Sequence, residues 1–233
     1  LCGENGAGKS TLINILTDSI VRDKGQVLYN DYEITELGAK YRELLGYMPQ
    51  QQNIYPELSL RRFLYFMASL KGLKKSEAGE DIDHYVRMVK LDDVLGKKLG
   101  AFSGGMKQRA LIAQALIGNP GILILDEPTA GLDPNERVRF RNLISELSEN
   151  RLVLLSTHIV SDIDYIADDI LMMKKGSLIL NCSTEKAIHS MDGKVWNCKL
   201  LQSQINEVSE RFRVVNLHHE QGNEVLLRVV SDT

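Results

Sequence analysis

The chain has 233 residues, of which 43% are hydrophobic and 25% are charged, proportions typical of a globular protein. This composition excludes a disordered, a collagen-like and a coiled-coil chain. Its 28 lysines and arginines against 31 aspartates and glutamates give a net charge of -3, so the chain lacks the overall positive charge typical of nucleic-acid binding. The longest apolar runs are strand-sized and fall far short of the ~18 apolar residues that a membrane span needs.

The chain opens with the pattern of a strand end, a glycine-rich turn and a helix. Leu1-Cys2 have the character of a strand end, and apolar residues at helical spacing predict a helix over Gly8–Thr17. Alternating residues over Gln26–Tyr29, followed by the turn-forming pair Asn30-Asp31, predict a short hairpin. A helical pattern then extends from Leu60 to about Val94.

Helical patterns and short apolar runs alternate through the middle of the chain. A helix is predicted from Ser103 to the helix-stopping pair Asn119-Pro120. Three apolar runs have the character of buried parallel strands: Ile122–Leu125, Leu152–Leu155 and Ile170–Met173. This alternation predicts parallel βα units and therefore an α/β fold. In the helical stretch before them, we expect one shared face for Phe63, Phe66, Met67 and Leu70.

After Gly176 the pattern changes to alternating strands with one helical stretch at Gln204–Arg211. We therefore predict two domains, an α/β domain over residues 1–182 and a small α+β appendage over residues 183–233. The predicted strands are Ser177–Leu180, Val195–Leu201, Arg213–Leu217 and Val225–Val230.

The segment Gly3–Ser10 fits the phosphate-binding loop (P-loop) pattern G-x-x-x-x-G-K-[ST]. Its glycines let the backbone turn N–H groups inward around a phosphate, and the following helix points its positive end at the same anion. In this pattern Lys9 reaches the β- and γ-phosphates and the Ser10 hydroxyl binds Mg²⁺. The strand end before the loop and the helix after it favour this reading over a glycine-rich turn without a ligand.

The apolar run Ile122–Leu125 ends in the acidic pair Asp126-Glu127. A buried strand that ends in Asp126 places a carboxylate at the carboxyl edge of the sheet, where Mg²⁺ would lie beside the P-loop. Glu127 suits a base that polarises the attacking water. On its own this pair is more often an ordinary acidic turn, but together with the P-loop it predicts a nucleoside triphosphatase.

A second anion-binding pattern occurs at Ser103-Gly104-Gly105, at the start of a predicted helix. The serine hydroxyl and the exposed N–H groups of such a helix start can bind a phosphate, although the same residues also form ordinary helix caps. Two phosphate-binding surfaces on one chain imply that each nucleotide is shared between two molecules.

In chain order these motifs resemble those of the nucleotide-binding domain of ABC transporters, over residues 1 to 185. The resemblance implies a P-loop NTPase core with a mostly parallel sheet, a helical subdomain at about residues 55–118, the α+β appendage, and ATP and Mg²⁺ as ligands. The matching segments are Gly3–Thr11 (Walker A), Tyr47–Gln50 (Q-loop), Ser103–Gly105 (signature), Leu125–Pro128 (Walker B), Gly131–Asp133 (D-loop) and Ser156–His158 (switch histidine).

The same resemblance assigns roles to individual residues. It implies that Glu127, His158 and Gln50 are catalytic, and that Ser10, Gln50 and Asp126 bind the metal. The implied nucleotide contacts are Gly3, Glu4, Asn5, Gly6, Ala7, Gly8, Lys9, Ser10, Thr11, Ser103, Gly104, Gly105 and Asp133.

The sequence departs from the family pattern in two places. The signature has Phe102 and Met106 where the family has leucine and glutamine, but its serine and two glycines are intact, so we expect function to survive. Family members also carry roughly 30 to 40 residues before the P-loop, including the strands that a P-loop fold requires there. We therefore expect this sequence to be a fragment of a longer chain, with the adenine contacts outside it.

The resemblance favours a transporter subunit over a soluble ABC ATPase that acts on ribosomes or DNA. The stretch from Gln50 to Ser103 has room for a compact helical subdomain but holds no long coiled coil and no cysteine zinc site. Residues 156–176 and the α+β appendage are similar to bacterial ABC-2-type exporter ATPases, while an importer stays open. The resemblance implies a permease subunit in the membrane, which Tyr55–Leu58 would face, and a second ATP-binding subunit. It also implies a peripheral location at the cytoplasmic face of the cell membrane and no nucleic-acid partner.

Overall fold

The computed structural model describes residues 1–51, 54–159, 166–220 and 222–231. The chain divides into two compact units, Leu1–Asn181 and Cys182–Thr233. The first series of elements is α1 (Lys9–Leu16), β1 (Leu28–Tyr29), β2 (Tyr32–Glu33), α2 (Ile34–Leu37), α3 (Ala39–Glu43), β3 (Leu45–Met48), α4 (Leu60–Leu70), α5 (Lys75–Met88), α6 (Gly104–Leu116), β4 (Ile122–Asp126), α7 (Pro134–Ser148), β5 (Leu152–Ser156), β6 (Asp169–Lys174) and β7 (Ser177–Ser183). It is followed by α8 (Thr184–His189), β8 (Val195–Leu201), α9 (Ile205–Arg211), β9 (Arg213–His219) and β10 (Glu224–Val230).

A parallel sheet lies at the centre of the first unit. The strands β3, β4 and β5 are neighbours in that order, and both pairs are parallel. Cys2 extends the same sheet, because it forms parallel bridges with Thr157 on one side and with Met172 of β6 on the other. The predicted strand end at Leu1-Cys2 and the positions of the three predicted apolar strands are thus confirmed, and so is the α/β fold class. The predicted burial is confirmed for β4 but was wrong in part for the other two, since Leu152 of β5 is 66% exposed and Met172 of β6 is 36% exposed.

Strand β4 is fully buried because its two faces supply two different cores. Leu123 and Leu125 pack with apolar residues of helices α4 to α7. Ile122 and Ile124 pack on the opposite face with Ile13 of α1 and with residues of α2 and α3. A strand with both faces buried has a continuous apolar sequence, which is the pattern that predicted it.

The helical stretch predicted from Leu60 to about Val94 consists mainly of two helices, α4 and α5. The chain turns between them at Gly72, whose φ of 77° favours glycine. The four apolar residues predicted to share a face lie on α4, but only part of that face is buried, since Phe66 and Leu70 are exposed. Leu64 and Ala68 of α4 are buried instead. The face of α4 that contacts α5 and α6 therefore differs in part from the predicted apolar face.

Strand β3 approaches α6 so closely that only glycine fits at position 46. A Cβ atom there would overlap the carbonyl oxygen of Ala115 and lie 2.7 Å from Pro120 Cγ. Because a backbone carbonyl cannot move aside as a side chain can, we expect Gly46→Ala to lower the free energy of unfolding by about 3 kcal/mol. Urea denaturation measures this, with Gly96→Ala as the control because its added Cβ would meet nothing within 4 Å. Equal midpoints for the two variants would contradict this packing.

In its described residues, the second unit has an antiparallel three-stranded sheet and the helices α8 and α9, as expected for an α+β appendage. Strand β10 is central and pairs with β8 and β9, with one irregularity at Arg228/Val229. Its core consists of Val225, Leu227 and Val229 of β10. In the residues that the structure describes, no helix combines the length and the apolar character needed to cross a membrane.

Candidate active site

The loop Gly3–Gly8 connects the central sheet to α1 and packs closely against the end of β6 and the residues that follow it. A Cβ atom at Gly3 would lie 2.5 Å from the carbonyl oxygen of Met173, so this end of the loop touches the backbone of β6. Gly6 and Gly8 have φ angles of 80° and 102°, a conformation that favours glycine. The N–H of Gly176 donates to the carbonyl oxygen of Ala7 at 2.9 Å. The glycines of the P-loop pattern are therefore required by backbone geometry.

Helix α1 presents its amino end to this loop. Within the described residues no side chain caps that end, and the N–H of Leu12 is the donor to the Gly8 carbonyl oxygen, at 2.9 Å. The N–H groups of the first helical turn precede the first intrahelical hydrogen bond, and with the helix dipole they favour an anion at this position. The arrangement fits a phosphate group.

Lys9 joins the loop to the end of β4. Its side chain is buried, with the residue only 6% exposed. Its Nζ donates hydrogen bonds to the carbonyl oxygens of Gly3, at 2.8 Å, and Glu4, at 3.3 Å. The same atom lies 3.3 Å from Glu127 Oε1. The ammonium group is therefore held where the P-loop and the acidic strand end meet.

Glu127 directs its carboxylate into the same region although it is only 4% exposed. Its φ of 50° is rare for a residue other than glycine, and this turn follows directly after β4. Oε2 lies 2.8 Å from Nδ1 of the half-exposed His158. Oε1 has no hydrogen-bond partner in the described part of the chain, since its contact with Lys9 is ionic and lacks hydrogen-bond alignment. A buried carboxylate oxygen with unused acceptor capacity suits a group that orients a water molecule.

Asp126, the last residue of β4, is hydrogen-bonded to Ser156, the last residue of β5. The Ser156 hydroxyl donates to Asp126 Oδ1, and the Ser156 hydroxyl oxygen accepts the Glu127 N–H at 2.9 Å. The role of Ser156 was not predicted from the sequence. The sequence signal for this role is that Ser156 is a polar residue at the end of an apolar strand. That strand, β5, is the neighbour of β4, which leads into the acidic pair.

The structure brings most of the predicted site residues together. Gln50 follows β3 and lines the cavity beside the P-loop. In β3 itself, the Tyr47 hydroxyl donates a hydrogen bond to Asn14 Oδ1 of α1 at 3.3 Å. Burial, and next the charge of Asp126, raise the pKa of Tyr47, so this phenol stays neutral. One cavity of ≈ 290 Å³ is lined by Asn5, Gly6, Ala7, Gly8, Lys9, Ser10, Thr11, Gln50 and Glu127. A second cavity is lined by Cys2, Gly3, Glu4, Asn5, Thr157, His158 and Met172.

Cys2 is the residue through which the sheet continues into the P-loop. Burial is the main cause that raises the pKa of its thiol, so the thiol stays protonated.

Four of the predicted nucleotide contacts do not line either of these two cavities: Ser103, Gly104, Gly105 and Asp133. Ser103 caps α6 by accepting the Met106 N–H at 3.2 Å, and both Ser103 and Gly104 are exposed. Asp133 caps α7 by accepting the Glu136 N–H at 2.9 Å. A Cβ atom at Gly105 would lie 3.0 Å from Glu136 Oε2, so the signature and the start of α7 are neighbours.

The side chains around the P-loop fit a phosphate group that carries a Mg²⁺ ion. Ser10, Gln50 and Asp126 offer a hydroxyl, an amide carbonyl and a carboxylate, and oxygen ligands of this kind are those that Mg²⁺ prefers. Lys9 and the amino end of α1 supply the positive charge that phosphates require.

Comparison with known proteins agrees with this geometry. The family model described as ABC transporter matches residues 1–130. The uncharacterized ABC transporter ATP-binding protein YxlF of Bacillus subtilis (strain 168) is 37% identical over 180 residues, which cover 76% of this chain and 59% of YxlF. The linearmycin resistance ATP-binding protein LnrL of the same organism is 30% identical over 215 residues, covering 92% of this chain and 68% of LnrL.

Solved structures show the same fold. The dimeric ATP-binding cassette MJ0796, in a post-hydrolysis state bound to ADP and Pi, matches with a TM-score of 0.69 and 26% identity over 78% of this chain and 83% of that one. The chain therefore belongs to the ABC transporter family and contains its ATP-binding ATPase domain. It spans only 59% of the length of YxlF.

Proposed function

We propose that this chain is the ATP-binding subunit of an ABC exporter and works at the cytoplasmic face of the cell membrane. Two such subunits hydrolyse MgATP between them in a head-to-tail dimer and drive a separate permease subunit in the membrane. The observation that carries the proposal is the meeting of Lys9, Glu127 and His158 beside the P-loop cavity, while the signature residues are exposed elsewhere on the chain.

The position of the signature supports the dimer. Ser103 and Gly104 are exposed, and Gly105 lies against Glu136 near Asp133. In the dimer, the phosphate-binding site that Lys9 of one molecule forms is completed by the signature and the D-loop of the second molecule. The second subunit is either another copy of this chain or a related one. The MJ0796 cassette, which is described as dimeric and bound to ADP and Pi, supports the dimer.

Each group beside the P-loop has a distinct task in this proposal. Lys9 and the N–H groups at the start of α1 hold the phosphates, and Ser10, Gln50 and Asp126 hold Mg²⁺. When bound, Mg²⁺ neutralises charge on the phosphate oxygens. Glu127 accepts a hydrogen bond from the attacking water through Oε1, while His158 and Gln50 fix the positions of Glu127, the water and the γ-phosphate.

An apolar surface on the helical subdomain supports a membrane partner. Tyr55 and Phe66 are both exposed, and their rings form an edge-to-face pair with centroids 5.8 Å apart. Leu70, which lies on helix α4 together with Phe66, is 66% exposed. Exposed aromatic residues of this kind are typical of protein interfaces, and here they suit an apolar helix of the permease. The name of LnrL, which refers to linearmycin resistance, supports export.

The test is purification of the full-length protein from salt-washed membranes of its host. We expect one polytopic membrane protein to co-purify, and we expect the double variant Tyr55→Ser/Phe66→Ser to lose it while retaining ATPase activity. Val21→Ser is the matched control because Val21 is an apolar residue that is 96% exposed and is not part of the Tyr55–Phe66 pair. Recovery with ribosomes or in the soluble fraction would contradict a transporter subunit.

A further inference from the structure

Ser156 connects the two acidic residues at the end of β4 without lining the nucleotide cavity. The parallel register pairs it with Asp126, and its side chain is fully buried, at 0% exposure. Its hydroxyl donates to Asp126 Oδ1, and its hydroxyl oxygen accepts the Glu127 N–H at 2.9 Å. A hydroxyl has one proton and two lone pairs, so these two bonds fix the direction of its proton.

The first of these bonds determines how Asp126 is oriented. Because Oδ1 accepts a hydrogen bond from the Ser156 hydroxyl, the carboxylate cannot rotate freely, and its other oxygen is the one that can face a metal ion. Hydrogen bonds from outside the ligand shell orient metal ligands in this way, and their loss weakens metal binding.

The second bond holds the turn at Glu127. The Glu127 N–H also donates to the Ser156 carbonyl oxygen, at 3.2 Å, so both oxygen atoms of Ser156 accept from it. The turn has a φ of 50°, which a glutamate rarely adopts, and it directs Oε1 and Oε2 toward Lys9 and His158. The Ser156 hydroxyl therefore holds the Asp126 carboxylate and the Glu127 turn at the same time.

We propose that Ser156 is a positioning residue that orients Asp126 for Mg²⁺ and Glu127 for the attacking water. The proposal rests on the function proposed above, because it assigns Asp126 and Glu127 those two tasks. An alanine at this position would leave Asp126 Oδ1 without this donor and the Glu127 N–H without its closer acceptor. Both carboxylates would then lose their orientation while the P-loop stayed intact.

The experiment measures metal binding directly in the full-length protein. Mn²⁺ replaces Mg²⁺, a non-hydrolysable ATP analogue is present, and electron paramagnetic resonance reports the bound metal. We expect Ser156→Ala to weaken Mn²⁺ binding by about 10–100-fold and to lower kcat. Nucleotide binding in EDTA is expected to stay at the wild-type level, because Ser156 has no part in the P-loop.

Two further variants separate positioning from packing. Ser156→Thr keeps the hydroxyl and is expected to restore Mn²⁺ affinity. Ser148→Ala removes an exposed hydroxyl that donates to the Ser145 carbonyl oxygen at 2.8 Å, and it is expected to behave as wild type. If thermal unfolding shows that Ser156→Ala does not fold, Ser156→Cys takes its place, since it keeps a similar shape with a weaker donor.

A folded Ser156→Ala or Ser156→Cys protein with wild-type Mn²⁺ affinity would overturn the proposal. So would a loss of nucleotide binding in EDTA that matches the loss of Mn²⁺ binding, because a general packing defect predicts both. If the wild-type protein itself neither binds Mn²⁺ with the analogue nor hydrolyses ATP, the proposed function fails first and this proposal fails with it.

Discussion

Replacing Glu127 by glutamine is expected to lower the turnover number for ATP by about 10²–10⁴-fold while MgATP binding persists. Glutamine keeps the size of the side chain, so the contacts behind it with Ser156 are retained. It lacks the negative charge that faces Lys9 at 3.3 Å and His158 at 2.8 Å, and it cannot accept a proton from water. Steady-state ATPase measurements on the full-length protein, with MgATP binding followed in parallel, check both parts.

The same variant is expected to accumulate as a dimer in MgATP, because the nucleotide that holds the two molecules together is no longer consumed. Size-exclusion chromatography with MgATP in the buffer measures this. Adding Gly104→Asp should abolish the dimer, since a carboxylate at the signature repels the phosphate of the other molecule. A Cβ atom at Gly104 would meet nothing within 4 Å, so the fold tolerates the change, and Gly104→Ala is the uncharged control. A Glu127→Gln protein that stayed monomeric in saturating MgATP would contradict the head-to-tail dimer.

The parts of the site that were predicted are those encoded in short segments. The P-loop depends on glycines within six residues of one another, and its backbone needs them for reasons that are local. Strand β4 was predicted because burial of both faces leaves a continuous apolar run, Ile122–Leu125, that ends in the acidic pair. The position of Glu127 beside Lys9 follows from these two elements, since both lie at the carboxyl edge of one parallel sheet.

Strand β3 was not predicted from the sequence, because one of its residues is constrained by a helix that is distant along the chain. Gly46 interrupts the strand pattern of Leu45–Met48, and glycine inside a strand ordinarily weakens it. Here the glycine is needed because the carbonyl oxygen of Ala115 on α6 lies where a Cβ atom would be. No local pattern carries that information.

The bond between Ser156 and Asp126 was missed for a related reason. These residues end two strands that are thirty positions apart in the chain, and only the register of β4 and β5 shows that they are partners. Helix α7 differs, because Phe140, Ile144 and Leu147 have helical spacing and could have been recognised as one buried face. The sequence therefore contained the helix, whereas the cross-strand contact required the structure.

Removing the Lys9 ammonium group should weaken MgATP binding and also destabilise the protein, for two separable reasons. The lost charge-assisted contact with phosphate is worth ~1.5–3 kcal/mol, or roughly 10–100-fold in the dissociation constant. The Glu127 carboxylate, whose side chain is 3% exposed, also loses its cation, and breaking a buried ion pair costs about 3 kcal/mol. Isothermal titration with MgATP and thermal unfolding of Lys9→Ala measure the two effects, with the exposed Lys24→Ala as control.

The double variant Lys9→Ala/Glu127→Gln tells the two effects apart. Glutamine removes the carboxylate charge that Lys9→Ala leaves without its nearest cation, so thermal stability should return toward that of the wild type. Affinity for MgATP should stay as low as in Lys9→Ala, because the phosphate still lacks the ammonium group. If the double variant regained affinity together with stability, the binding defect of Lys9→Ala would be a consequence of misfolding, and Lys9 would have no direct role with phosphate. Unchanged affinity in the single variant would refute that role outright, since a buried ammonium group at the centre of the P-loop cannot be lost from a phosphate site without cost.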